Sequence, residues 1–159
     1  MLAETQSAAI VGVDGEPVRV EVDVAFGLPA LTIVGLAGSQ VQEARERVRS
    51  ALRNSGFELP ARRITINLSP ADLPKDGTGY DLPIAVGILA ASGQLPTIDR
   101  LRDTALVGEL GLDGALRPVP GTILVPPSVY ISEMARSITR LSASITPFTC
   151  PPAAVSMTG

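Results

Sequence analysis

The stretch LPKDGTGYDLPIA, residues 73–85, collects the side chains of this sequence whose types and spacing could do chemistry. It holds the only lysine of the chain together with two carboxylates and two glycines, namely Lys75, Asp76, Gly77, Gly79 and Asp81. Such a group could bind a phosphate, hydrolyse a substrate or form a turn that leads into a helix. The residues on either side help to separate these interpretations.

Phosphate-binding and dinucleotide-binding loops have spacings that this sequence lacks. A Walker A loop places a glycine directly before its lysine and a serine or threonine directly after it. Here Lys75 lies between Pro74 and Asp76, and the glycines at 35, 38, 77 and 79 do not form G-x-G-x-x-G after a strand. The chain has no histidine and Cys150 is its only cysteine, so we expect no metal site and no cofactor bound by this chain.

Two hydrolytic mechanisms stay open at this point. Paired carboxylates could come from Asp72, Asp76, Asp81 or Glu109, although acidic residues in loops are more often turn formers and helix caps. A serine nucleophile activated by a buried, neutral lysine would work without histidine. The second mechanism depends on a serine at the correct distance from a lysine.

The first half of the chain predicts three strands and a helix. Alternating valines in SAAIVGV and VRVEVDV, with Asp14-Gly15 between them, indicate a β-hairpin, and ALTIV is a third strand. From Ser39, a candidate N-cap, the apolar period becomes 3.6 until Asn54-Ser55-Gly56 ends the helix. Its predicted buried stripe is Val41, Ala44, Val48, Ala51 and Leu52.

The second half predicts a strand, a helix and a hairpin. Residues 64–68 form the strand, and Asp81 is placed as the N-cap of a helix over 82–91 that Gly93 ends. Residues 104–107 read as a further strand, and Asp113-Gly114 is the turn before a strand over 115–119. The order βββ-α-β-α-ββ predicts a mixed α/β fold of the α+β two-layer type, with helices packed on one sheet.

Five arginines form a candidate DNA or anion contact. Arg45, Arg49 and Arg53 recur every four residues on the predicted helix, and Arg62 and Arg63 precede the next strand. The competing interpretation is a solvated helix face, with surface pairs from Glu43 to Arg47 and from Glu46 to Arg49. A net charge of −3 and a pI near 4.9 argue against a broad basic surface, so any nucleic-acid contact would be local.

The sequence predicts a soluble, cytoplasmic protein. Its N-terminus has no basic leader, and the longest apolar run, 82–91, is far shorter than the roughly 20 residues of a spanning helix. A single cysteine fits a reducing compartment.

Long segments of the chain resemble the N-terminal domain of the YifB/ComM family of magnesium-chelatase-like AAA+ ATPases. They are GLPALTIVGLAGSQVQEARERVRSALRNSGFELPARRITINLSPADLPKDGTGYDLPIAVGILAASGQ and GELGLDGALRPVPG. The resemblance covers about residues 2–121. It departs from the family at Ala37-Gly38, where Pro-Asp is usual, and at Pro120, where a basic residue is frequent.

The N-terminal domain of that family is similar to the proteolytic domain of Lon proteases, which implies the ribosomal protein S5 domain 2-like fold. Lon proteases carry a PKDG-x-S-A-G signature whose serine is the nucleophile, and matching residues 74–77 to it places Gly79 at the serine position. The Lon lysine follows a segment similar to residues 108–121, and its position falls at about Ile123. The resemblance therefore implies that both members of the dyad are absent.

For full-length members, the resemblance implies that this domain precedes a AAA+ module, which binds ATP and Mg²⁺, in a hexamer that drives DNA branch migration. DNA and self-association are the implied partners, with no membrane and no small-molecule substrate. For this chain we expect a non-catalytic accessory domain without the ATPase. A residual Lon-type Ser/Lys peptidase and a stand-alone nucleic-acid-binding domain are the alternatives.

The composition changes after Gly121. Residues 122–159 are rich in serine, threonine and proline, and we expect them to lie beyond the resemblance to the family. We expect a Lon-like domain over 1–121 and a divergent, poorly ordered or frameshifted tail over 122–159, in a chain truncated before the AAA+ module.

Overall fold

The computed structural model describes residues 1–11, 14–95 and 105–119. These ranges contain six strands and two helices, in the order βββ-α-β-α-ββ that the sequence predicts. They are β1 (Leu2–Val11), β2 (Asp14–Ala25), β3 (Ala30–Val34), α1 (Ser39–Asn54), β4 (Arg63–Ser69), α2 (Asp81–Ala91), β5 (Glu109–Leu110) and β6 (Leu116–Arg117). The predicted tail, 122–159, lies outside the described residues.

Four strands form one mixed sheet in the order β1-β2-β4-β3. β2 runs antiparallel to β1 and β4, and β3 runs parallel to β4. Because successive side chains of a strand point to opposite faces, the alternating apolar residues turn one face of the sheet into the core. In β2 and β4 these buried residues are Val18, Val20, Val22, Val24, Ile64, Ile66 and Leu68. The two helices pack with this sheet, which confirms the predicted α+β two-layer class.

Helix α1 buries the five residues of its predicted apolar stripe, which confirms that prediction. The predicted cap at Ser39 is wrong, because Gly38 is the N-cap and no side chain hydrogen-bonds to it there. At the other end, Ser55 is the C-cap, and the chain leaves the helix at Gly56 as expected.

Helix α2 is buried along its whole length, from Asp81 to Ala91. It packs against β1 and β2, with α1 beside it. Gly87 permits this close approach, because a Cβ at that position would lie 2.6 Å from Cγ2 of Val22. No helix among the described residues has both the length and the apolar character needed to cross a bilayer.

The hairpin of β1 and β2 is confirmed, but the prediction that Asp14-Gly15 forms its turn is wrong. Asp14 pairs with Val11 and Gly15 with Ile10, so both belong to the ladder, and residues 12 and 13 lie outside the described part. The Asp113-Gly114 turn is confirmed by the hydrogen bond from the N–H of Gly111 to the carbonyl of Ala115, 2.8 Å long.

The strands predicted near the end of the domain are shorter than expected. Where a strand was predicted over 104–107, Ala105 makes one isolated parallel bridge with Gln6, and Thr104 lies outside the described residues. The last predicted strand, 115–119, is reduced to Leu116–Arg117. The segment 105–110 is nevertheless connected to β1, because the N–H of Leu106 donates to the carbonyl of Gln6 at 2.7 Å.

Candidate functional site

The loop of residues 75–81, called loop 75–81 below, begins beside the N-terminus of α1. The N–H of Lys75 donates to the carbonyl of Leu36 at 3.2 Å, and the N–H of Gly38 donates to the carbonyl of Lys75 at 2.9 Å. Asp76 lies so close that a Cβ at Gly38 would be 1.8 Å from its Oδ1. The start of the loop is therefore fixed by backbone pairing, and the glycine at 38 leaves room for the Asp76 carboxylate.

The end of loop 75–81 lies against residues 108–110. Gly77 adopts φ +89, a conformation that favours glycine, and turns the chain toward this segment. The N–H of Gly108 donates to the carbonyl of Gly79 at 2.9 Å, and the N–H of Leu82 donates to the carbonyl of Gly108 at 3.1 Å. The fold thus brings together the two sequence segments on which the Lon resemblance depends.

Asp81 lies at the centre of this arrangement and is fully buried. Its Oδ2 accepts a hydrogen bond from Nε of Arg47 at 2.7 Å and one from the N–H of Leu110 at 3.2 Å, while its Oδ1 accepts from Nη2 of Arg47 at 2.9 Å. The prediction that Asp81 caps α2 is wrong, because Tyr80 is the N-cap residue and makes no side-chain cap. The Asp81 carboxylate is hydrogen-bonded instead to partners that are distant in sequence.

Sequence reasoning missed this role of Arg47. The predicted surface pair with Glu43 exists at 3.7 Å, but Glu43 is 70% exposed, whereas the bond to Asp81 is short and mostly enclosed. The other predicted pair, between Glu46 and Arg49, is not among the ion pairs of the described residues. The available signal was the position of Arg47, three residues after Ala44 and four before Ala51 in the buried stripe of α1.

The environment of the Arg47–Asp81 pair shifts the pKa of both side chains. Burial raises the pKa of Asp81, against the lowering effect of the hydrogen bonds from Arg47 and from the Leu110 N–H. The hydrogen bond to Asp81 is the main cause that raises the pKa of Arg47. With both oxygens of the carboxylate occupied, the pair connects α1, α2 and β5.

Lys75 and Tyr80 turn inward from the same loop. The side chain of Lys75 is buried, and its Nζ donates to the carbonyl of Pro70. Burial lowers the pKa of Lys75, and the charge of Asp72 opposes that shift. Tyr80 is also buried, which raises the pKa of its phenol to about 12. The amine of Lys75 is thus occupied by a backbone carbonyl.

Gly79 occupies an apolar space. A Cβ built at this position would lie 3.1 Å from Cγ1 of Val107 and 3.7 Å from Cγ2 of Val119. A serine at 79 would therefore carry its hydroxyl on a carbon already close to valine methyl groups. Ile123, at the position expected for the second Lon residue, lies outside the described residues.

The hydroxyl of Thr78, the residue before Gly79, also forms a hydrogen bond within the protein. Oγ1 of Thr78 donates to Oε2 of Glu109 at 2.6 Å, and Oε1 of Glu109 lies 3.6 Å from Nη1 of Arg117. In the part of the chain that the structure describes, no three side chains of the histidine, cysteine or carboxylate type gather to hold a metal ion. The polar side chains around Gly79 therefore bind one another.

The five predicted arginines separate into two groups. Arg49, Arg53 and Arg62 line one cavity of about 230 Å³ beside the C-terminal half of α1. Arg45 lies outside it, with Nε donating to the carbonyl of Gln42 at 2.9 Å, and Arg63 is an exposed residue at the start of β4 that does not line the cavity. The structure therefore brings three of the five together.

Comparison with known proteins places the chain in a family. Residues 20–138 match the family described as subunit ChlI of Mg-chelatase. The chain is 58% identical to YifB of Escherichia coli over 122 residues and 52% identical to the competence protein ComM of Haemophilus influenzae over 135 residues. It is also similar to Lon protease 2 of Bacillus subtilis, with 31% identity over 120 residues.

The matches cover much of this chain and a smaller part of its relatives. They span 77% of the chain for YifB, 85% for ComM and 67% for the Lon protease. The same matches span 24%, 26% and 21% of the relatives, so the chain corresponds to about a quarter of YifB and ComM. The family match continues to residue 138, past the boundary predicted at residue 121, which stays a prediction. The chain belongs to the Mg-chelatase ChlI family, with YifB and ComM among its relatives.

Proposed function

We propose that this chain acts as a non-catalytic accessory domain of a ComM/YifB-like ATPase, with a Lon-like scaffold and no peptidase chemistry. The single observation that carries the proposal is the surroundings of Gly79. This residue has no side chain to attack a carbonyl, and the space around it is bordered by Val107 and Val119.

The contacts of loop 75–81 support a structural role. Asp81 is bound by Arg47 and by the N–H of Leu110, Thr78 is bound by Glu109, and Lys75 donates to a backbone carbonyl. A general base needs a lone pair or an amine directed toward a reacting group. The side chains of Asp81, Thr78 and Lys75 are directed toward the protein itself, and the contacts of Asp81 connect α1, α2 and β5.

In full-length members of the family, ATP hydrolysis would take place outside this domain. ATP and Mg²⁺ would bind the AAA+ module, and DNA branch migration would be the work of the assembled ATPase. The accessory domain would contribute a rigid surface to that assembly, through contacts with DNA or with neighbouring copies.

A peptide-hydrolysis assay tests the non-catalytic part of the proposal. The full chain is incubated with fluorogenic peptides beside a Lon protease, and we expect no turnover above that of a heat-denatured sample. Lys75→Met and Thr78→Val variants, with folding checked by circular dichroism, should give the same baseline. Turnover in the wild-type chain that either substitution abolishes would overturn the proposal.

A chimera tests the accessory part. The corresponding segment of the ComM relative is replaced by this chain, and ATP hydrolysis and oligomeric state are compared with those of ComM lacking the segment. We expect the chimera to regain the properties of intact ComM. A chimera that behaves like the deletion would contradict the accessory role.

A further inference from the structure

The cavity lined by Arg49, Arg53 and Arg62, called the arginine cavity below, is unusual in its lining. Apart from these three side chains, every lining residue is apolar. They are Pro29, Ala30, Leu31, Leu59, Pro60, Ala61 and Ile64. Within residues 1–11, 14–95 and 105–119, no carboxylate lines the cavity and none of the three arginines forms an ion pair. Arg49 is half-buried and Arg53 and Arg62 are exposed, so three cationic side chains with apolar neighbours line one site that is open to solvent.

Arg49 provides a second, independent observation. Its Nε is buried and has no hydrogen-bond partner within the part of the chain that the structure describes. Buried polar groups in proteins are nearly always hydrogen-bonded, so an unsatisfied donor such as this one is an exception that a bound water, ion or ligand would explain. Because Arg49 lines the cavity with Arg53 and Arg62, an anion bound there would lie beside three guanidinium groups.

The size of the cavity restricts the ligand. At about 230 Å³ it is smaller than the roughly 300–1,000 Å³ of pockets that enclose whole drug-sized ligands. A single tetrahedral anion fits these dimensions better than a complete nucleotide does. Arginine is also the side chain whose planar donors best match phosphate oxygens.

An aromatic ring lies beside the same group. Cζ of Arg62 is 4.6 Å from the ring centroid of Phe26, and Phe26 is 85% exposed. Cationic side chains together with exposed aromatic rings bind single-stranded nucleic acid, because phosphates pair with the cations and bases stack on the rings.

We propose that the arginine cavity binds one phosphate group, supplied either by free phosphate or by a nucleic acid strand whose neighbouring base stacks on Phe26. Arg49, Arg53 and Arg62 hold the phosphate oxygens. The site shares no residue with loop 75–81 and does not depend on the accessory function proposed above.

The first experiment uses inorganic phosphate and a fluorescently labelled oligothymidine with the full chain. Phosphate is titrated at constant ionic strength by calorimetry, and the oligonucleotide is followed by anisotropy at several salt concentrations. We expect Arg49→Met to weaken binding of phosphate about tenfold, as for the loss of one charge-assisted contact. Arg45→Met, on the same helix but outside the cavity, is the matched control and should bind like the wild-type chain.

The second experiment separates the two sources of phosphate. If a strand is the ligand, Arg49→Met lowers the slope of log K against log salt by about 0.7, the value for one contact on single-stranded nucleic acid. Phe26→Ala then weakens binding of the oligonucleotide and leaves binding of inorganic phosphate unchanged. If free phosphate is the ligand, only phosphate binds, and Phe26→Ala has no effect. Absence of binding for both probes, or equal losses in Arg49→Met and Arg45→Met, would overturn the proposal.

Discussion

Loop 75–81 and the arginine cavity both place charged groups against apolar surroundings, yet their donors and acceptors are used differently. In the loop, the Asp81 carboxylate receives three hydrogen bonds, and the Thr78 hydroxyl donates to Glu109. Among the residues of the cavity, Arg49 has a buried Nε for which residues 1–11, 14–95 and 105–119 provide no hydrogen-bond partner. The loop has the residue types of an active site, whereas the cavity includes an arginine whose Nε is unsatisfied by the described part of the fold.

This difference shows that residue type alone is a poor guide to a site. Lys75, Asp76 and Asp81 are the side chains that first suggest catalysis, but the contacts of Lys75 and Asp81 stabilise the fold. The substitutions below test whether removing a satisfied group and removing an unsatisfied one have different effects on stability.

The largest effect should come from Asp81→Ala. The substitution leaves the guanidinium of Arg47, only 19% exposed, without its carboxylate, and it leaves the N–H of Leu110 without an acceptor. Breaking such a pair from one side should lower the free energy of unfolding by about 3–5 kcal/mol. Urea denaturation of the full chain measures this, with Glu43→Ala as a control that should cost less than about 1 kcal/mol. Equal effects for the two variants would contradict the structural role of Asp81.

The second effect is a dependence of stability on alkaline pH. Because the folded-state pKa of Tyr80 is raised to about 12, its contribution to stability is complete below pH 10 and is lost as the pH rises through 12. A shift of about two pKa units corresponds to about 2–3 kcal/mol. Thermal melts at pH 9 and pH 11.5 should show a larger loss for the wild-type chain than for Tyr80→Phe. If the thermal stability of the two proteins fell equally with pH, ionisation of the Tyr80 phenol would not contribute to the loss.

A smaller effect is expected from Thr78→Val. The substitution keeps the shape of the side chain but removes the 2.6 Å hydrogen bond to Glu109, at a cost of about 1 kcal/mol. Thr32→Val on the exposed face of β3 is the matched control and should leave the midpoint of urea denaturation within error of the wild-type value. If Thr78→Val left the midpoint of urea denaturation unchanged, the hydrogen bond to Glu109 would not contribute to the stability of the loop.

The smallest effect should come from Arg49→Met. Since the buried Nε of Arg49 has no partner among the described residues, its removal should change the free energy of unfolding by no more than about 0.5 kcal/mol, or should stabilise the chain slightly. The same urea experiment measures it. A loss comparable to that of Asp81→Ala would remove the contrast between the loop and the cavity.

The predictable part of the fold is the part determined by local periodicity. Alternating valines determine which face of β2 is buried, and the five apolar residues of α1 determine its inner stripe. Both patterns depend only on the geometry of a strand or a helix, so they could be seen without knowing any distant partner. The mixed sheet and the two-layer class followed from the order of these elements.

The errors concern groups whose partners are distant in sequence. Asp81 has the position and type of an N-cap, but Arg47, 34 residues earlier, offers a bidentate bond that a local cap cannot match. Ser39 likewise has a cap sequence, yet Gly38 takes that position, next to Asp76 of the distant loop. Local signals could not anticipate either contact.

The arginine set was predicted in part. Arg49 and Arg53, one helical turn apart, share a face of α1, and the chain returning through Pro60 brings Arg62 to the same cavity. Arg45 shares the spacing but lies one turn too early to reach that segment. Sequence spacing therefore gave the row of cations, and only the fold determined how far along the helix the cavity extends.

The complete burial of α2 sets how its backbone amides exchange with solvent. Because every residue from Asp81 to Ala91 is buried and Gly87 packs closely against Val22, we expect local opening of this helix to be unfavourable. Deuterium should enter this helix only when the whole domain unfolds, while β3, at the edge of the sheet, exchanges through smaller motions. The amides of α2 would then report the global stability of the domain one residue at a time.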